Sequence, residues 1–92
     1  LTIQIADDAE HALDLASDCQ YGLVAGIYTE NVSAALSFAR DIDAGQIYIN
    51  EYFAGGIEVP FGGNKLSGFG REKGLEGLKS YCKMKSVVAR ID

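Results

Sequence analysis

Apolar positions along this chain switch between strand-like runs and helical spacing, and the switching predicts its elements. Leu1-Thr2-Ile3-Gln4-Ile5 is a short β-branched run that reads as a strand. Asp7 or Asp8 can cap the helix that follows, and Asp7-x-x-Glu10 resembles a capping box. Ala9, Ala12, Leu13 and Ala16 then share one helical face, and Gly22 ends the unit. Leu23–Tyr28 is again strand-like, and Thr29 to Asn31 offers the next cap. Val32, Ala35, Leu36, Ala39 and Ile42 mark a second helical face, stopped by Gly45. Gln46 to Asn50 reads as a third strand.

The fold class this spells is α/β: a β-α-β-α-β unit of parallel strands joined by right-handed crossovers. Parallel sheets are normally covered on both faces, so this unit requires a neighbour at its open edges. From Glu51 to Gly70 the rhythm stops, and seven of the eleven glycines fall between Gly55 and Gly74. A long loop of this kind inside a compact domain is usually functional. Helical spacing resumes from Gly74 to Lys83, with Leu75, Leu78 and Cys82 on one side. Lys85 to Ile91 reads as a terminal strand whose partner must be distant.

Glycine-rich loops can cradle phosphates, but the spacing here excludes both familiar forms. Gly68-Phe69-Gly70-Arg71-Glu72-Lys73-Gly74 is one residue too long for the dinucleotide fingerprint, and no strand directly precedes it. Gly63 to Gly68 is followed by Phe69 rather than by the lysine of a P-loop. Positive-φ turns in a connecting loop are the purely structural alternative.

Charge narrows the classes further. The net charge of −5 divides unevenly: residues 1–58 hold ten acids and one base, Arg40, and residues 59–92 hold three acids and seven bases. Those bases are interleaved with Glu72, Glu76 and apolar residues, so a solvated or subunit-contacting face is favoured over nucleic-acid binding. No run approaches the ~20 apolar residues of a membrane helix, and the start is not signal-like. A start at a strand without an initiator Met is expected of a fragment. Cys19 and Cys82 match no metal spacing and are expected to be reduced, partly buried thiols of a cytoplasmic protein.

One string carries more than its glycines. Pro60-Phe61-Gly62-Gly63-Asn64-Lys65-Leu66-Ser67-Gly68-Phe69-Gly70-Arg71-Glu72-Lys73-Gly74 resembles the P-F-G-G-x-K-x-S-G-x-G-R-E-x-G block of the aldehyde dehydrogenase superfamily. The flanks agree in order: Tyr21-Gly22-Leu23, then Ala44 to Asn50, then Gly77-Leu78 through Tyr81 to Lys85 and Val87. The resemblance covers essentially the whole chain. It implies that residues 1–66 close a catalytic domain and that 51–59 form a substrate anchor loop. It further implies that residues 67–85 form a glycine-rich turn and helix, and 86–92 an oligomerisation strand.

The implied activity is oxidation of an aldehyde to a carboxylic acid with NAD or NADP. In that chemistry a cysteine thiolate attacks the aldehyde, hydride leaves to the cofactor, and activated water hydrolyses the thioester. The nucleophile, the glutamate base and the cofactor site would lie upstream of Leu1; neither Cys19 nor Cys82 matches the nucleophile. This chain would contribute the substrate tunnel. Phe61 matches the aromatic beside the reacting carbon, and Tyr52, Phe53, Gly55 and Ile57 belong to the loop that selects substrates. Two aromatics with Gly55 and Gly56 suit a bulky or aromatic aldehyde. An ordinary packed Phe is the plainer alternative for Phe61.

Lys65, Gly68 and Glu72 match positions that betaine-aldehyde-type members use for a potassium ion, through the first two carbonyls, and for a proton relay, through the third. Surface charges, or Glu72 capping the last helix, are the alternatives, and Phe61 departs from that subgroup's aliphatic residue. Ser86 to Ile91 matches the arm that extends a sheet into another subunit of a dimer or tetramer. A non-catalytic fragment that self-associates through open sheet edges is the competing functional class.

Overall fold

The computed structural model describes residues 1–92. The first helix, α1, is Ala9–Ser17. Asp8 caps it, its carboxylate accepting the His11 amide at 2.8 Å, while the His11 ring accepts the Asp7 amide at 3.2 Å. The cap therefore closes around His11 rather than through a reciprocal Asp7–Glu10 box. The next pieces are β1 (Tyr21–Gly22), β2 (Val24–Ile27) and α2 (Val32–Asp41). Asn31 caps α2 by accepting the Ala34 amide at 3.0 Å. β3 (Gln46–Ile49) follows, then β4 (Asn64–Lys65) and α3 (Gly74–Lys79).

β2 and β3 pair in parallel, with Val24 opposite Gln46 and Ile27 opposite Ile49. α2 is the connection between them, as a parallel pair requires. Beneath this unit lie the buried apolar side chains of Ala35, Ile42 and Tyr48. β1 has a partner that the residue pattern does not predict. It pairs antiparallel with β4, Tyr21 opposite Lys65, and so pulls the glycine-rich stretch back across the start of the unit.

Three expected elements differ. Leu1–Ile5 is not a strand: no ladder partner lies beside it, and Leu1, Ile3 and Ile5 are almost wholly exposed. Ser86–Ile91 is likewise unpaired, with Val87, Val88 and Ile91 exposed. A strand exists only through its lateral hydrogen bonds, and within one copy of this chain neither end meets an edge. α3 stops at Lys79 instead of Lys83, because the amides of Ser80, Tyr81 and Cys82 turn back to carbonyls three residues earlier. The parallel sheet is therefore two-stranded, not three-stranded. Cys19 and Cys82 are free, and both are exposed rather than partly buried.

The resulting body is long. Its radius of gyration is 18.3 Å, against about 12 Å for a compact domain of this length. It exposes 7756 Å², where a compact monomer of its mass exposes about 5,200 Å². Large apolar side chains face solvent on α3 and the two ends, among them Leu75, Leu78, Tyr81 and Met84, and also elsewhere, as at Val32, Leu36 and Phe69.

Candidate functional site

β3 delivers the chain to the site. At its end Asn50 adopts φ 56, a left-handed conformation that asparagine tolerates better than most residues. The 51–59 loop leaves from that point. Tyr52 and Phe53 fold back on Tyr48 of β3, their ring centroids 5.4 and 5.8 Å from its own and 4.8 Å apart, the last pair edge-to-face. Such aromatic pairs hold about 0.5–1.5 kcal/mol each beyond simple burial. They offset the cost of Phe53, a bulky residue at φ 56. Tyr48 is buried, and its hydroxyl donates to Gln46 Oε1 at 2.8 Å.

The far wall comes from the glycine-rich stretch. Phe61 and Glu72 form an antiparallel bridge in which each amide donates to the other's carbonyl, at 2.8 and 2.7 Å. Phe61 is half-buried, and the Lys73 ammonium lies 5.7 Å from its ring centroid. Gly74 closes the same turn at φ 58, donating its amide to the Ile57 carbonyl at 2.6 Å; a side chain there would strike Glu58 and Pro60. Between the walls is a cavity of about 280 Å³ lined by Tyr48, Phe53, Gly55, Gly56, Phe61 and Glu72, among others.

Arg71 locks this arrangement. Its guanidinium donates to the carbonyls of Gly63 and Gly70 at 2.9 and 2.7 Å, and to Asn64 Oδ1 at 2.7 Å. Asn64 passes the link to Asp43 at 2.9 Å. A planar fork with five donors suits a loop of converging carbonyls, and lysine could not reproduce it. Ser67 adds a tie to β1, its hydroxyl accepting the Gly22 amide at 3.0 Å.

The structure thus brings Phe53, Gly55, Phe61 and Glu72 together around one cavity, with Tyr52 edge-to-face against Phe53. Ile57 is exposed and lines a separate hollow with Leu78 and Tyr81. Glu72 does not cap α3; the cap position is Lys73, without a side-chain bond. Its carboxylate makes no hydrogen bond within the chain and is open to a partner from elsewhere. Lys65 and Gly68 occupy one exposed turn, the Gly68 amide donating to the Lys65 carbonyl at 3.3 Å. Two carbonyls can contribute to a cation's shell but cannot close one, and no cluster of three His, Cys, Asp or Glu side chains stands nearby. A dinucleotide finds no cradle either: the glycine-rich stretch enters a six-residue helix through Lys73 at φ 60, and the Gly74 amide is already taken.

Sequence reasoning missed Tyr48, Asn50, Arg71 and Lys73. Asn50 left a trace, an asparagine ending a strand just before two aromatics. A cavity of about 640 Å³ between α1, β2 and α2, lined by four alanines with Leu13, Ile27, Tyr28 and Phe38 among others, contains none of the expected site residues.

The model of the aldehyde dehydrogenase family matches residues 1–87. The chain is 41% identical over 85 residues to 4-trimethylaminobutyraldehyde dehydrogenase A of Danio rerio, covering 92% of this chain and 17% of that protein. It is 46% identical over 85 residues to the succinate semialdehyde dehydrogenase [NAD(P)+] Sad of Escherichia coli (strain K12), again over 92% of this chain and 18% of that one. Among solved structures, a P. syringae indole-3-acetaldehyde dehydrogenase mutant in complex with NAD+ and IAA superposes with a TM-score of 0.85 at 43% identity, over 88% of this chain and 16% of that one. The chain spans less than a fifth of the length of these relatives. Within that span the match runs through almost the whole chain in sequence and in three dimensions, and the chain belongs to the aldehyde dehydrogenase family.

Proposed function

We propose that these residues serve an enzyme that oxidises an aldehyde to a carboxylic acid with NAD(P)+, as one wall of its substrate tunnel and as a subunit contact. The observation carrying this reading is the Phe61–Glu72 bridge, which sets the Phe61 ring across a cavity from Phe53, Gly55 and Gly56. The cofactor, held by residues outside this chain, supplies the hydride acceptor. The thiolate and the water-activating base are likewise assigned to no residue here. What these residues do is bind and orient. Phe61 and Phe53 present apolar faces that exclude water around an aldehyde's side chain. Gly55 and Gly56 leave room for bulk, so the preferred aldehyde is bulky or aromatic. Glu72, unpaired within the chain, is placed to exchange a proton with a cationic partner from elsewhere in the enzyme. The Lys65 and Gly68 carbonyls would be two ligands of a potassium ion completed from outside.

The exposed alternating arm Ser86–Ile91 fits strand addition to another subunit of a dimer or tetramer. The test of the pocket is Phe61→Ala in the full-length protein. The expected result is a loss of about tenfold or more in kcat/KM for phenylacetaldehyde and a smaller loss for acetaldehyde. Equal losses on both, or a parent enzyme that prefers acetaldehyde, would remove the bulky-substrate reading.

A further inference from the structure

Asn50 is hydrogen-bonded through its backbone amide and through both polar atoms of its side chain. Its amide donates to the Ile27 carbonyl at 2.8 Å, adding one rung to the β2–β3 ladder. Its side chain then closes a second ring with Thr29: the Thr29 amide donates to Asn50 Oδ1 at 2.7 Å, and Asn50 Nδ2 donates to the Thr29 carbonyl at 2.9 Å. Thr29 Oγ1 in turn accepts the Asn31 amide at 3.0 Å, and Asn31 caps α2. The residue that follows β3 is thereby tied to the turn that starts α2. The chain makes two left-handed kinks in quick succession after β3, at Asn50 itself and at Phe53. Nothing between those kinks is in a helix or strand, and the rings of Tyr52 and Phe53 pack on Tyr48 and on each other, with Tyr52 also lying over Gly26.

We infer that Asn50 is a positioning residue for substrate selection: its two side-chain bonds to Thr29 set the exit angle of the 51–59 loop and so place Phe53 opposite Phe61. The physical argument is one of leverage. A backbone rotation at residue 50 moves every atom of the loop that follows, while the cavity of about 280 Å³ leaves little room for a displaced ring. The left-handed conformation alone does not require asparagine, since glycine adopts it without cost. Only the amide side chain provides an acceptor and a donor at the spacing of the Thr29 backbone pair. The inference rests on the 51–59 loop being the selector, as proposed above.

The experiment uses the full-length protein and separates the two claims. Asn50→Gly keeps the backbone conformation and deletes both side-chain bonds. Hydrogen exchange measured by mass spectrometry should show faster exchange at Thr29 and across residues 51–57. Selectivity should fall with it: about a tenfold loss of kcat/KM on phenylacetaldehyde, mostly in KM, against about twofold on acetaldehyde. In a Phe53→Gly background the further effect of Asn50→Gly should shrink below about twofold, since the ring it positions is gone. Asn50→Asp, which keeps the Oδ1 acceptor and loses the donor, should fall between. Parent-like exchange in both variants overturns the clamp. Faster exchange with an unchanged selectivity ratio overturns the loop as selector, and the proposal with it. If Asn50→Gly yields no soluble protein, the same two readouts on Asn50→Asp decide.

Discussion

Leu1–Ile5 and Val24–Ile27 are similar stretches of chain: short, apolar and rich in β-branched residues. One is exposed and unstructured, and the other is a strand of a parallel pair. The difference lies in what stands beside each of them. Val24–Ile27 meets Gln46–Ile49 across the α2 crossover, and the ladder is extended at both ends by Gln46 donating to Leu23 and Asn50 donating to Ile27. Leu1–Ile5 meets nothing within the chain. Ser86–Ile91, with its alternating apolar residues, behaves like Leu1–Ile5. Strand propensity is thus a readiness to pair rather than a structure, and the interlocked middle differs from the ends by its partners alone.

The largest effect that would break this contrast is on the middle. Gly45 packs so closely that a Cβ would be driven into the Gly62 carbonyl, which is backbone and cannot swing aside. Gly45→Ala should separate β3 from the glycine-rich stretch, cost about 1–3 kcal/mol or more, and lower the Tm of the full-length protein by several degrees. A thermal shift experiment reads this directly, and an unchanged Tm would mean the two segments are not mutually locked. A smaller and different effect is expected at the far end. Ending the chain after Lys85 should leave Tm of the core little changed while shifting the assembly toward monomer in light scattering. An unaltered oligomer would show that the arm contributes no essential pairing. The smallest effect belongs to the exposed Arg40–Asp41 pair, joined at 2.6 and 2.7 Å. Its hydrogen bond to Arg40 holds the Asp41 carboxyl below the usual aspartate range. A depressed carboxyl stabilises above its ordinary value and loses that contribution as the pH falls, here below about 4. Asp41→Asn should therefore leave Tm nearly unchanged at neutral pH, as exposed pairs do, and flatten whatever acid-side slope this pair produces.

The helices were the most legible part. Asn31 and Asp8 cap where polar residues precede apolar spacing, because capping is local and a side chain need only reach three residues ahead. The β2–α2–β3 alternation was legible for the same reason. The site was only half legible. Phe61, Phe53 and Gly55 stood out through family resemblance, and the structure sets them around one cavity. Asn50, Arg71 and Tyr48 did not stand out, since each acts on residues that are distant in sequence or on backbone atoms that any sequence possesses.

The glycine-rich stretch shows where the division falls. Residue order alone was enough to exclude a phosphate cradle and to place Pro60–Gly74 between a parallel unit and a helix, because motif spacing and helical periodicity are properties of neighbours along the chain. That Phe61 bridges Glu72, that Tyr21 and Gly22 pair with Lys65 and Asn64, and that the two ends remain unpaired are matters of tertiary structure. Hydrogen bonds between segments 11 to 44 residues apart form only after the chain has closed on itself, and strands at an open edge form only against a surface that one copy of these residues does not provide.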